Sequence, residues 1–149
     1  MPYQPTDPRP IPAAIAVVVR DTQVLLVRRA NPPDAGLWGF PGGRIDPGEP
    51  LFDAAIRELA EETGVSADPL RVITALDAFD HDGTGTLRRH FILIAVLFRW
   101  IAGVPVAADD ALEARWIDLA ALTDGSLALS RDVGAVADQA VALMAGAPT

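Results

Sequence analysis

Residues 43–65 read GRIDPGEPLFDAAIRELAEETGV, and no other stretch constrains the chain as strongly. Pro50 suits the first position of a helix, where a missing N–H costs nothing. Gly64 suits the position just past the other end, where a left-handed residue closes the last turn. Each residue between them advances about 100° around the axis. Phe52, Ala55, Ile56, Leu59 and Thr63 then form one stripe, expected to pack on a core. Glu58, Glu61 and Glu62 fall at i, i+3 and i+4 on a different face, where like charges repel by a few tenths of a kcal/mol per pair.

Three glutamates on a helix ordinarily mark a solvated face. Two neighbours argue otherwise. Arg57 can hold one carboxylate by a forked contact. The loop PGGRIDPGE precedes the helix, and at Gly42 and Gly43 the backbone can approach a metal or phosphate closely. A divalent cation would turn the repulsion into attraction. Hard cations such as Mg²⁺ take oxygen ligands, few of them from protein, with water and substrate phosphates completing the shell.

The pattern G-x5-E-x7-R-E-U-x-E-E-x-G-U, with U a bulky aliphatic, resembles the Nudix box of Mg²⁺-dependent hydrolases that cut pyrophosphate bonds in nucleoside diphosphate derivatives. Every fixed position matches: Gly43, Glu49, Arg57, Glu58, Leu59, Glu61, Glu62, Gly64 and Val65. From average residue usage, a chance match is on the order of 10⁻⁹ per window. The resemblance implies metal ligands at Gly43 (by its carbonyl), Glu58 and Glu62, with Glu61 ligating or supporting a metal. It implies catalytic work for Glu58, Arg57 and Glu61, Glu49 and Arg57 orienting the other groups. Gly42 lends structural support. The implied cofactor is Mg²⁺, with Mn²⁺ able to substitute.

The rest of the chain reads as a mixed sheet with two helices. Residues 1–12 carry five prolines and form an expected extended arm, leaving 13–149 as a single domain. Residues 13–19 and 23–27 are apolar, β-branched-rich runs about Arg20-Asp21-Thr22, a hairpin pattern. Residues 31–36 are turn formers. A short strand is expected at 37–41, another from Asp68 or Pro69 to Ala78, and a polar loop at 80–85. A long apolar strand follows at 87–101, then a loop at 103–110 and a short strand at 114–117. A helical turn is expected at 119–122. Val133, Val136, Ala137, Ala140, Val141 and Met144 recur at helical spacing, predicting a helix over 131–144. The resemblance names this architecture an α/β/α sandwich, the box helix on one face and the C-terminal helix on the other.

Outside the box, adjacent strand residues point to opposite faces, so one of Arg28 and Arg29 can face a nucleotide. The resemblance favours Arg29 as a phosphate contact. Trp38 and Phe40 could stack on a base, although burial alone would also explain them. The family often places a working acid a few residues before the tryptophan that matches Trp116. Asp110 is a fair analogue by spacing, whereas Glu113 could simply pair with an arginine.

The 149 residues suffice for one domain with a real core. Cysteine is absent, so disulfides and thiol chemistry do not arise. A net charge of −8 repels nucleic acid backbones, so the expected partner is a small nucleotide rather than a polymer. The longest apolar runs are too short to cross a bilayer, and no secretory leader pattern is present. The cytoplasm is the expected location, and a homodimer is compatible with all of this.

LWGFPGG and LEARWIDL resemble a broad bacterial group that mixes ADP-ribose-type enzymes with nucleotide-pool-cleaning ones. Markers of narrower groups are missing. Asp80-His81-Asp82 stands where ADP-ribose hydrolases often carry a proline, and the sole tyrosine is Tyr3. The expected reaction is hydrolysis of ADP-ribose or a related diphosphate sugar. Its alternatives are cleavage of nucleoside triphosphates to monophosphate and pyrophosphate, and a nucleotide-binding regulatory module without catalysis.

Overall fold

A computed structural model describes residues 9–32 and 34–146; most of the proline-rich arm lies outside them. In chain order the elements are β1 (Ile11–Arg20), β2 (Gln23–Arg29), β3 (Trp38–Gly39), β4 (Gly42–Arg44), α1 (Leu51–Thr63), β5 (Ser66–His81), β6 (Leu87–Ala102), β7 (Ala111–Asp118), a 3₁₀ turn (Leu119–Leu122) and α2 (Val133–Ala145). The seven strands form one sheet in the order β3-β2-β1-β6-β5, with β4 pairing β1 and β7 pairing β2. Strands β1 and β6 run parallel, Ile11 opposite Phe91 through Val19 opposite Arg99. The other pairings are antiparallel, so the sheet is mixed.

β1 explains the layering. Its continuous apolar run is what a strand covered on both faces requires. Ile15, Val17 and Val19 join the core under α2, while Ala14, Ala16 and Val18 join the core under α1. This is the α/β/α sandwich that the sequence implied. Among the described residues, no helix is long and apolar enough to cross a membrane.

Several boundaries move. β1 begins at Ile11, two residues into the expected arm. The expected strand at 37–41 shortens to β3, and a further short strand, β4, follows it at the diglycine. β5 begins at Ser66 and runs on through Asp80 and His81, which pair with Arg89 and Leu87, so the expected loop at 80–85 shrinks. The reason is that Asp80 is buried, 2% exposed, between Arg88 and Arg89. β7 likewise starts at Ala111 rather than Ala114.

The stripe on α1 is also rotated. The buried residues are Ala54, Ala55, Leu59, Glu62 and Thr63, whereas Ile56 is 40% exposed. Gly42 supplies the cause: its N–H donates to Glu62 Oε2 at 2.8 Å and draws that carboxylate under the sheet edge. The helix starts at Leu51 with Pro50 just outside it, and Gly64 closes it at φ 70°.

Candidate active site

Arg57 organises the box. Its Nε donates to Glu49 Oε2 at 2.7 Å and its Nη2 to Glu49 Oε1 at 2.9 Å, a two-pronged grip. Its Nη1 donates to Glu58 Oε1 at 2.8 Å and to Glu61 Oε2 at 3.2 Å, and its Nη2 also reaches the Arg44 carbonyl at 3.1 Å. Only a planar fork with five donors can do this. Glu49 accepts in addition from the Asp46 N–H at 3.0 Å. The Arg57 guanidinium, and after it that N–H, hold the Glu49 carboxyl down at about 2. Glu49 in turn keeps the guanidinium charged, well above the usual arginine range.

Glu58 and Glu62, one helical turn apart, form a contrasting pair. Glu62 is 5% exposed, and burial pushes its carboxyl up to about 8. The Gly42 N–H pulls the other way, the neighbouring Glu58 charge adds to the rise, and Arg29 opposes it. Burial also raises Glu58, against the pull of Arg57. The charge on Glu58 disfavours charge on Glu62. Two carboxylates that repel each other in this way suit a divalent cation, whose binding displaces protons from its ligands.

The approach of Gly43 completes this end of the site. A Cβ there would sit 2.6 Å from the Glu58 carboxylate, so only glycine lets the β4 backbone come this close. A Cβ at Gly42 would meet the Ala14 carbonyl oxygen and, at 2.7 Å, the Ile15 side chain. Gly42→Ala is therefore expected to force β4 off β1, release Glu62 and cost roughly 1–3 kcal/mol. Thermal denaturation should read this as a melting temperature lower by several degrees; an unchanged value would contradict the packing described.

Glu61 stands apart. Its side chain is 44% exposed and turned to Arg57, and it does not line the cavity beside Glu58 and Glu62. Among the described residues, no three acidic or histidine side chains converge as a ready metal cage. The residues that fit a cation are Glu58, Glu62 and the Gly43 backbone, with Glu61 within reach of them on the same helix.

A cavity of about 990 Å³ opens from this end. Arg29 lines it, whereas Arg28 donates to Glu113 at 3.2 Å, so the two side chains part as strand alternation requires. Phe40 lines it too. Trp38 does not: it is buried in the core below α2, with the Arg115 guanidinium 4.8 Å from its ring centre. Its indole is therefore placed for packing rather than for stacking on a base. Asp110 lines the cavity and accepts from Asn31 Nδ2 at 3.0 Å. Glu113 is shared by Arg28 and Arg115. Sequence reasoning missed Arg44, Arg88, Arg89 and Phe91, all of which line the cavity. Arg44, directly after the diglycine, was the one with a readable signal.

Residues 9–135 match the family model of the NUDIX domain. The chain belongs to the Nudix family. Members generally use a divalent metal ion and act on small nucleotide substrates. Over 110 residues the chain is 34% identical to a Methanocaldococcus jannaschii protein named ADP-ribose pyrophosphatase, a match covering 74% of this chain and 63% of that one. Over 109 residues it is 36% identical to a Mycobacterium tuberculosis protein named putative 8-oxo-dGTP diphosphatase 2, covering 72% of each. The chain thus spans under two thirds of the length of the first of these relatives. Among solved structures, the NUDIX domain of Shewanella oneidensis NrtR complexed with ADP ribose superposes with a TM-score of 0.72 at 26% identity, over 95% of this chain and 94% of that one.

Proposed function

We propose that this Nudix chain is a Mg²⁺-dependent pyrophosphohydrolase of a nucleoside diphosphate derivative, with ADP-ribose or a related diphosphate sugar as substrate. The observation that carries the reading is the pairing of partly buried Glu58 with buried Glu62 beside Gly43, at one end of an arginine-lined cavity. The name of the M. jannaschii relative and the ADP ribose in the Shewanella structure support the substrate.

Glu58, Glu62 and the Gly43 backbone hold the cation, Glu61 supporting it; Mn²⁺ is expected to substitute. A cation there polarises phosphate oxygens and offsets the charge that builds on them during attack. Glu58 accepts the proton of the attacking water, and Arg57 keeps that carboxylate aimed. Water adds in line at phosphorus, one P–O bond of the anhydride breaks, and ADP-ribose yields AMP and ribose 5-phosphate. Arg29 holds a substrate phosphate.

A contact made equally in the ground and transition states appears mainly in binding. Arg29→Ala should therefore raise KM by about tenfold while kcat falls less. Arg28→Ala, which releases Glu113, should leave KM unchanged. The reverse pattern in steady-state kinetics would contradict the placement of Arg29 at the phosphate.

A second reading, cleavage of nucleoside triphosphates to monophosphate and pyrophosphate, is favoured by the M. tuberculosis relative's name. The intact Glu58, Glu61 and Glu62 argue against a module without catalysis. Incubation with Mg²⁺ and a nucleotide panel decides. AMP plus ribose 5-phosphate supports the first reading, monophosphate plus pyrophosphate the second, and tight binding without turnover of any substrate refutes both.

A further inference from the structure

Part of the cavity wall takes no role in the proposed hydrolysis and carries no charge. Ile15, Phe40, Val133 and Val136 line the cavity and belong to the core on the α2 side of the sheet. Leu76 and Leu93, which pack against that core, line it too. A diphosphate, a metal ion and a bare sugar gain nothing from such a wall. A planar ring with apolar faces gains by every Å² it removes from water.

Ser130 supplies a polar group beside this wall. It lines the cavity just ahead of α2. Its backbone is fixed: the N–H donates to the Trp38 carbonyl at 2.8 Å, and its own carbonyl accepts from the Val133 N–H at 3.4 Å. Its Oγ is buried and, among the described residues, has no hydrogen-bond partner. Leaving a buried hydroxyl unpaired costs stability, and buried polar groups nearly always find a partner. Gly39 lines the cavity next to it, and a Cβ there would come within 3.3 Å of that Oγ. Only a glycine leaves the hydroxyl this uncrowded.

The chain itself ties this place to the box. Gly39 lies beside Ser130, and Gly43 lies against the Glu58 carboxylate. Four residues separate the two glycines, at most roughly 13 Å of extended backbone. A nucleoside 5′-phosphate spans that interval, with its phosphate at the box and its base at Ser130. Mostly apolar walls with a few placed polar groups are what small-molecule sites use to orient a ligand. A nucleobase matches this division, since its faces are apolar and its edge carries donors and acceptors.

We propose that the apolar wall on the α2 side of the cavity receives the nucleobase of the substrate, and that the Ser130 hydroxyl reads the edge of that base. Gly39 keeps the space beside the hydroxyl open. The subsite rests on the nucleotide substrate class proposed above, yet it can be tested without turnover.

Calorimetric titration in Mg²⁺ compares AMP, GMP and UMP with ribose 5-phosphate, which carries the same phosphate and no base. The parent protein should bind at least one of the nucleotides more than about tenfold tighter than ribose 5-phosphate, through the apolar area the base buries. Ser130→Ala should weaken the preferred nucleotide severalfold, the worth of one neutral hydrogen bond, and leave ribose 5-phosphate binding unchanged. Its melting temperature should be no lower than the parent's, because the hydroxyl it removes has no partner in the free protein. Equal binding of ribose 5-phosphate and all three nucleotides by the parent would overturn the subsite. An undiminished preference in Ser130→Ala, or a lowered melting temperature that assigns the hydroxyl to the fold, would overturn the role of Ser130. If the nucleotide panel instead reveals triphosphate cleavage, the diphosphate-sugar reading falls while these affinities still decide where the base is held.

Discussion

Glu62→Gln is expected to lower kcat by several orders of magnitude while the fold survives. Glutamine keeps the shape and an acceptor for the Gly42 N–H, but it takes away one of the two charges available to a cation. Stability without metal should move the other way. Burial raises the Glu62 carboxyl from 4.5 to about 8 in the folded chain. A raised acid contributes stability fully below its unfolded value and loses it as pH climbs through the folded one. The metal-free parent should therefore lose stability between about pH 4.5 and pH 8, and the variant should lack that slope. Melting curves in chelator at pH 5 and pH 9 should show the variant gaining on the parent with pH. Near-normal turnover of the folded variant at saturating Mg²⁺ would refute the ligand role.

How far the site was legible depends on the distance its contacts span in the chain. Pro50, Gly64 and the glutamate spacing act within one helix, so the helix and its acidic face could be read directly. What turned that face inward could not. The Gly42 N–H buries Glu62 across twenty residues of chain and rotates the apolar stripe away from Ile56. Arg28 and Arg29 were separable in principle by strand alternation, and the partner that fixes Arg28, Glu113, comes from β7. Trp38 illustrates an ambiguity that local pattern does not resolve. An aromatic before a glycine-rich loop packs or stacks according to which sheet face it takes, and β3 turns it into the core. Asp80 read as loop because it is polar and sits beside His81, Asp82 and Gly83. Its two arginine partners arrive from the far side of the hairpin and convert it into a buried strand residue.

The identity of the acid that activates water yields the other large expected effect. Three carboxylates compete by sequence: Glu58 in the box, and Asp110 and Glu113 near the start of β7. Their surroundings differ. Glu58 lines the cavity, lies against the Gly43 backbone, and is aimed by Arg57 from 2.8 Å. Asp110 lines the cavity but is engaged by Asn31, with its own carbonyl accepting from the Ala30 N–H. Glu113 is divided between two arginines at the surface. A general base or essential ligand contributes at least about 10²-fold in rate. Glu58→Gln keeps an acceptor for Arg57 but can neither take a proton nor carry charge, and should reduce kcat by more than about 10²-fold. Asp110→Asn and Glu113→Gln should each reduce it by less than that. Raising the pH should not rescue Glu58→Gln, since an amide has no proton equilibrium in this range, whereas a variant that only weakened cation binding would recover with more Mg²⁺. Measuring kcat for the three variants at saturating Mg²⁺ separates these outcomes. A loss at Asp110 or Glu113 equal to that at Glu58 would move the base to the start of β7 or the residue just ahead of it, and leave Glu58 as a ligand alone.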